Sequence, residues 1–568
     1  MIHRAFRLLS YEVRGLHAAV YVLAASALLS SLLALVRDRL LAHTFGASTT
    51  LDLYYAAFRI PDLIFVGTGA LVSVYILIPE LVRRSSDAQR DYIDTILVGF
   101  SVFAICVSGI ATLLAPLILA LLFPILSAGS HHDELILMTR IILLQPILLG
   151  VSNILAAVTQ TKQRYALYSI SPLLYNLGMI IGVIFFYPFF GIQGLAWGVV
   201  FGALMHAGIQ LPSIIGDGFF RALPRVHDVR ALIETVSISI PRALALLMGQ
   251  VTFIGLTALA GLLTPGSIAI FIFAYNLQAV PLSVIGASYS VAAFPTLAAA
   301  LARGSRKEFI EHIATAARYV FFWSLPVTAL FIVLRAHMVR VVLGSGAFDW
   351  TDTRLTAAAL AVLCLSLSAQ GLVLLLVRGY YAAGRTFVPF FVSSAMAAGA
   401  VGLGALLLGV FQNHSVSSFA QTLLRVSDVP GASVLMLAIA YTAVSILGAL
   451  ALAIHFEYRF GGFFARVARS WAESLVCALC AGVAAYGALL VVGPITFAST
   501  TLSIFARGFA GGVFGIIVSA LVYWIAGNRE FKETVESIRS RFEGVKAPPT
   551  PSVAVVSAEE STSTSPQG

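Results

Sequence analysis

Charge is what this 568-residue chain has least of: Asp, Glu, Lys and Arg together make up 11% of it, against 59% hydrophobic residues and a mean hydropathy of +0.94. A soluble domain carries about 25% charged residues, so an ordinary water-soluble enzyme is excluded. Cysteine is also scarce. Cys106, Cys364, Cys477 and Cys480 all fall inside apolar stretches, which leaves neither a disulfide framework nor a zinc-ligand spacing. Cys477 and Cys480 form a CxxC, but an i,i+3 pair with no His and no βαβ context reads as small core residues. No run of about 10 residues alternates polar and apolar as a lipid-facing barrel strand does. No A-x-A-like cleavage site follows the first apolar run, which therefore reads as a retained helix.

What is present is apolar sequence, in runs of about 20 or more residues, each long enough to cross a hydrocarbon core of about 30 Å as a helix. Helices are required because every backbone polar group must be satisfied inside the bilayer. Charged and Pro/Gly-rich breaks delimit fourteen spans: 17–36, 52–80, 93–123, 135–159, 166–188, 192–215, 232–262, 268–300, 313–335, 355–383, 387–411, 431–456, 468–492 and 501–526. The predicted fold class is an all-α polytopic membrane protein.

The net charge of +9 does not point to nucleic acid, because Lys and Arg are dispersed over many short loops and form no single basic face. Their distribution is topological. With the N-terminus inside, the inner segments hold Arg4, Arg7, Arg14, Arg83, Arg84, Arg90, Lys162, Arg164, Arg221, Arg225, Arg230, Arg303, Arg306, Lys307, Arg385, Arg459, Arg466 and Arg469, together with Arg529, Lys532, Arg539, Arg541 and Lys546. That is 23 of 35 basic residues, and retention of Lys and Arg in cytoplasmic loops predicts both termini inside. Loops 124–139 and 412–430 then face outward. The stretch from about residue 544, rich in Pro, Ser and Thr, reads as disordered.

An internal repeat divides the chain. LAAVTQTKQRYALYSISPLL (155–174) resembles VRGYYAAGRTFVPFFVSSAM (377–396), aligning Arg164 with Arg385 at an offset of 221, and SVYILIPEL (73–81) resembles SVAAFPTLA (290–298), aligning Pro79 with Pro295. Each proline is expected to end the second helix of its half. An even number of helices per half keeps their orientation, so the halves are expected to be parallel repeats about an axis along the membrane normal. The expected organisation is a cytoplasmic N-terminal segment 1–16, a first lobe of six helices at 17–215, a linker at 216–231 and a second six-helix lobe at 232–456. Two extra helices at 457–526 and a largely disordered cytoplasmic tail at 527–568 follow.

Ionisable residues inside spans are expensive and mark candidate sites. The densest cluster is ALVRDRLLAHTFGASTTLDLYYAAFRIPDL (34–63), with Arg37, Asp38 and Arg39 near one end of the first span and Asp52, Arg59 and Asp62 in the second. Asp52 and Arg59 are seven residues apart and share a helix face. Arginine suits bidentate recognition of phosphate oxygens, so the cluster fits either a phosphorylated headgroup or a structural ion pair with interface anchors. Arg242, next to Pro241, is a reserve cavity cation, whereas Arg378 and Arg507 read as snorkelling residues. Asn153, Gln160, Asn176 and Gln250 either line a lumen or join helices. The loop sequence HHDE (131–134) has metal-type residues without a defined ligand geometry. A membrane glycosyltransferase needs acidic residues grouped in a sizeable outer loop, and the outer loops here hold only Asp133, Glu134, Asp349, Asp352 and Asp428.

The pattern R-D-x-L-x-A-x-x-F-G-A-S-x-x-x-D-x-x-x-x-A-F-x-I-P-D, spanning Arg37 to Asp62, resembles the N-terminal signature of the MurJ/MviN lipid II flippases, within the multidrug/oligosaccharidyl-lipid/polysaccharide exporter superfamily. The resemblance extends over most of the chain. It implies two pseudo-symmetric six-helix lobes plus two C-terminal helices whose groove takes a lipid tail, and flipping of undecaprenyl-linked lipid II by alternating access. An exporter of the same superfamily for another lipid-linked glycan or for drugs is the alternative. Arg37 matches an arginine of the family's central cavity, Asp52 matches an aspartate of the family pattern, and Arg59 stands where many members have lysine; these three are the expected site residues. Further cavity arginines of the family would fall at Ser31, near Phe65 and at about Asn276, where this chain has none; Asn276 and Gln278 then stand as polar substitutes. No cofactor, no catalysis and no nucleic acid are implied. The partners expected are a lipid-linked glycan and membrane lipids, for a protein acting as a monomer in the bacterial cytoplasmic membrane.

Overall fold

The computed structural model describes residues 16–220, 223–427, 429–493, 495 and 499–542, apart from the side chains of 16–24, 75, 238, 241, 242, 245, 416 and 540–542. Among the described residues every regular element is helical. The principal helices of the first half are α1 (Leu16–Phe45), α2 (Thr49–Ala57), α3 (Arg59–Leu71), α4 (Val74–Val82), α5 (Ser86–Leu122), α6 (His132–Ile142), α7 (Leu144–Thr161), α8 (Tyr165–Ile181) and α9 (Ile192–Gly208). They continue as α10 (Val229–Ala260), α11 (Ser267–Leu282), α12 (Ser288–Ala302), α13 (Arg306–Val342), α14 (Trp350–Cys364), α15 (Leu367–Ala382), α16 (Phe387–Phe411) and α17 (Val434–Phe460). Last come α18 (Phe463–Val492), α19 (Thr501–Ile525) and α20 (Arg529–Phe542).

Among the described residues, eleven helical segments are long and apolar enough to cross a membrane, and the pair α14–α15, bent by 46°, makes a twelfth. Helices α1 and α10, of 30 and 32 residues, are described only in part. Large apolar side chains such as Leu113, Leu121, Phe189 and Val491 stay exposed on the helices, as a bilayer-facing surface requires.

The spans are less regular than the apolar runs suggest. The second is interrupted twice, at Phe58 and at Val72–Ser73, where Ser73 is extended. The carbonyl of Leu71 at that break accepts a hydrogen bond from Ser239 Oγ at 3.2 Å, so a group that lipid would leave unpaired is satisfied by α10. Five-residue π-helical turns interrupt two other spans, at Gly182–Phe186 and Ser283–Ala287. Pro79 and Pro295 lie inside α4 and α12 and do not end them: each helix continues past its proline, to Val82 and Ala302. Helix α13 runs beyond the apolar run 313–335 to include Arg340, and its last turn is held by Arg340 over the Trp350 ring at 4.6 Å and on the Phe348 carbonyl at 3.2 Å. The tail is not disordered from its start: α20 is docked through Glu530 to Arg318 (2.9 Å) and Glu533 to the Tyr319 hydroxyl (2.7 Å). The N-terminal segment 1–15 and the stretch beyond Phe542 lie outside the described residues.

The repeat has a backbone signature. After α7, Gln163 adopts φ +55°, Arg164 N–H reaches the Thr159 carbonyl and Gln163 N–H the Gln160 carbonyl, both at 2.9 Å. After α15, Gly384 adopts φ +69°, Arg385 N–H reaches Tyr380 (2.8 Å) and Gly384 N–H reaches Tyr381 (3.0 Å). Both are Schellman helix ends, and all four positions recur at 221 residues.

Candidate functional site

The charged cluster of α1 to α3 lies where helices of the first half meet α10 and α11 of the second. Arg37 donates from Nε (3.0 Å) and Nη2 (2.7 Å) to Asp38 Oδ1, and from Nη1 to Asn176 Oδ1 on α8 (3.0 Å). The second Asp38 oxygen accepts from Asn276 Nδ2 on α11 at 3.0 Å. Asp38 is 3% exposed. One buried carboxylate thus ties Arg37 to the opposite half, and the Asn276 position, where the family resemblance expects an arginine, is occupied by its hydrogen-bond partner.

Asp52 and Arg59, which share a face by spacing, do not pair. Asp52 Oδ2 accepts the Gly266 N–H at 2.6 Å and Oδ1 the Ala269 N–H at 2.9 Å. The first N–H groups of a helix have no partner within it and favour a negative charge, so the start of α11 outcompetes a side chain about two turns away. Gly266 is at φ +89°, and a Cβ there would fall 2.3 Å from the Ala47 carbonyl; only glycine permits this approach. The same end carries Arg39 Nη1 on the carbonyls of Val341 (2.5 Å) and Val342 (3.2 Å), Ala347 N–H on His43 O (2.9 Å), and Ala47 N–H on Asp352 Oδ2 (3.0 Å). The two halves are therefore latched together at the end that loop charge assigns to the outside.

Arg59 is buried, with 4% exposure. Its Nε donates to Tyr55 O at 2.9 Å, its guanidinium stacks on the Phe253 ring at 4.6 Å, Asp62 stands 3.8 Å from Nη2, and Nη1 has no partner among the described residues. Phe253 and Asp62 line a cavity of about 480 Å³, bounded also by Gln250, Tyr275, Gln370 and Tyr441. Spacing alone gave no sign of this cavity, whose walls come from α3, α10, α11, α15, α16 and α17. The Tyr441 hydroxyl donates to Gln370 Oε1 at 3.2 Å, and the Tyr275 and Tyr441 rings meet edge to face at 5.8 Å. Gln278 is fully buried on α11, and neither of its amide atoms has a partner among the described residues. Arg242 belongs to α10, but its side chain lies outside the described ones. Asn176 belongs to the Arg37–Asp38 network, whereas the Gln160 Nε2 has no partner among the described residues. At the HHDE sequence, His131 meets Glu134 at 2.9 Å, and no group of three metal-ligating side chains occurs among the described residues.

A polytopic helical bundle whose two halves enclose buried, hydrogen-bonded charge beside a cavity with both polar and apolar walls belongs to the class of membrane transporters. Comparison with known proteins narrows the class. The family model "Lipid II flippase MurJ" matches residues 41–505. Among curated relatives, the probable lipid II flippase MurJ of Buchnera aphidicola subsp. Acyrthosiphon pisum is 26% identical over 374 residues, which cover 64% of this chain and 72% of the relative. The lipid II flippase MurJ of Burkholderia cenocepacia is 25% identical over 384 residues, covering 65% and 73%. The fold is similar to that of a solved structure described as lipid II flippase MurJ in an inward closed conformation. Its TM-score is 0.68 at 19% identity, covering 89% of this chain and 99% of the other. The chain belongs to the MurJ lipid II flippase family.

Proposed function

We propose that this protein carries the undecaprenyl-linked peptidoglycan precursor lipid II across the bacterial cytoplasmic membrane by alternating access, making and breaking no bond. Fourteen spans, both termini cytoplasmic, form lobes at 17–215 and 232–456 joined by the linker 216–231, with helices at 457–526 providing a groove for the lipid tail. The headgroup diphosphate binds in the interior through Arg37 and Arg59, with Asn276, Gln278 and Arg242 as further polar contacts and Asp52 closing the outer gate. The protein works as a monomer whose partners are its lipid-linked cargo and the surrounding lipid.

The observation that carries this reading is Arg59: a buried guanidinium with an uncommitted donor, stacked on a ring that lines a cavity walled by second-half helices and, from the first half, by Asp62. A cation left partly unpaired in a low-dielectric interior is costly, and an anionic cargo relieves that cost. The test is replacement of the resident flippase in a depletion strain, followed by detection of lipid II in the outer leaflet. Wild-type protein restores transport. Arg59→Ala, at equal membrane levels, lowers it about tenfold or more, the equivalent of one charge-assisted hydrogen bond. Arg59→Lys falls between, since lysine keeps the charge but loses the stack on Phe253. Full transport by Arg59→Ala removes Arg59 from the site. Failure of the wild-type protein to move lipid II, with export of another lipid-linked glycan, assigns the cargo to the rival reading.

A further inference from the structure

A second cavity, of about 340 Å³, opens at the opposite end of the molecule from the latch, the end that loop charge assigns to the cytoplasm. It lies where the ends of α12 and α17 meet the turn between α15 and α16. Its walls include Arg306, Arg385 and Arg459 together with Leu301, Ala382 and Phe460, and no carboxylate lines it. The neighbouring acids are engaged elsewhere. Glu308 pairs with Arg303 at 2.7 Å, Glu311 with Arg466 at 3.1 Å, and Glu457 accepts the backbone N–H groups of Gly462 (2.7 Å), Phe463 (2.7 Å) and Phe464 (2.9 Å). Arg306 is fixed by the carbonyls of Arg459 (2.8 Å) and Phe460 (2.7 Å), which accept from its Nη2. The guanidinium groups of Arg385 and Arg459 make no hydrogen bond or ion pair among the described residues.

The repeat supplies an internal control. Arg164, the counterpart of Arg385 at an offset of 221, makes two hydrogen bonds to Asp217, at 2.7 and 2.9 Å, and a third to Ser213 Oγ. In the first half this arginine is neutralised by its own chain; in the second it faces a concave, partly apolar space beside two more arginines. Like charges grouped without a counter-charge repel, and an anion with several acceptor oxygens removes the repulsion while matching the guanidinium fork. Basic pockets between transmembrane helices at a cytoplasmic face hold anionic headgroups. We propose that this cavity binds a phosphate group, presented by the headgroup of an anionic phospholipid or by a soluble phosphate compound. The assignment rests on neither the cargo nor the Arg59 site.

The test uses the purified full chain, with retained lipid measured by native mass spectrometry and thermal stability measured with inorganic phosphate as the soluble probe. Wild-type protein is expected to retain phosphatidylglycerol over phosphatidylcholine, and Arg385→Gln with Arg459→Gln to retain at least tenfold less. Arg83→Gln, changing an exposed arginine at the same end but outside the cavity, is expected to retain as much as wild type. Retention that resists millimolar phosphate identifies the lipid headgroup as the source. Displacement by phosphate, with a stabilisation by phosphate that the double variant lacks, identifies a soluble source. If the glutamine pair fails to fold, Arg385→Lys with Arg459→Lys retains charge without the fork and is expected to show a reduced preference. Retention and phosphate response equal to those of Arg83→Gln in the variant that folds would overturn the proposal and leave these arginines as surface anchors.

Discussion

Two donors from opposite halves of the molecule share the Asp38 carboxylate, Arg37 on one oxygen and Asn276 on the other. Removing Arg37 alone therefore does more than delete a cation, because it leaves a buried carboxylate with only an amide for company. Breaking a buried pair from one side costs about 3–5 kcal/mol, whereas removing both members is far milder. Thermal unfolding of purified Arg37→Ala, Asp38→Ala and the double variant is expected to give a double-mutant cycle with a coupling of about 1–3 kcal/mol, the double losing less than the sum. Additive losses would mean that the two residues act separately. The same residues mark how far sequence reasoning reaches. The importance of Arg37 and Arg59 is legible, since charge inside an apolar run has few structural uses. The partner of Asp52 is not, because the N–H groups it accepts belong to residues 214 and 217 positions away, and no local spacing encodes them.

At the scale of elements, helix identity follows from the apolar runs, but helix continuity does not. The break after Leu71 is stable because Ser239, 168 residues on, satisfies the free carbonyl. The 46° bend between α14 and α15 likewise falls inside a single predicted span, 355–383. Close packing depends on facing partners in the same way. Gly178 and Gly182 on α8 and the turn that follows it meet Gly198 and Gly202 on α9, and a Cβ at Gly202 would lie 2.5 Å from the Tyr175 carbonyl. The four-residue spacing is visible in the sequence, as in other small-residue helix contacts; which helix receives it is settled only in three dimensions. Since the obstacle is backbone and cannot rotate away, Gly202→Ala must push the helices apart. Overpacking of this kind costs about 1–3 kcal/mol, so the purified variant is expected to melt several degrees lower. Gly109→Ala, with no atom within 4 Å of the added carbon, is expected to melt as wild type does. Equal melting of the two variants would show that α8 and α9 can separate without loss.

The latch at the outer end joins the halves through backbone groups: Gly266 and Ala269 to Asp52, Ala347 to His43, and Val341 and Val342 to Arg39. Alternating access requires a second arrangement of similar free energy, and these contacts must then come apart in every cycle. The contacts differ in how readily they can part: His43 and Ala347 are exposed and can exchange their bond for water, whereas the bonds to Asp52 are buried and charge-assisted and hold the latch more firmly. Orientation is checked first: a cysteine at Gly129 is expected to react with an impermeant thiol reagent from outside, and one at Gly304 only after the membrane is opened. Gly266 is unsuited to this measurement because of the Ala47 carbonyl against it. The latch itself is then tested with cysteines replacing His43 and Ala347, two exposed positions whose backbones are joined at 2.9 Å. Neither side chain takes part in the Arg37 or Arg59 contacts, so the uncrosslinked pair is expected to transport lipid II normally. A short crosslink across it holds the halves shut at this end. Transport is expected to stop on crosslinking and to return when a reducible linker is cleaved, with no change in membrane level. Continued lipid II movement in the fully crosslinked protein would mean that the outer ends do not separate during the cycle, and that the latch is a static joint.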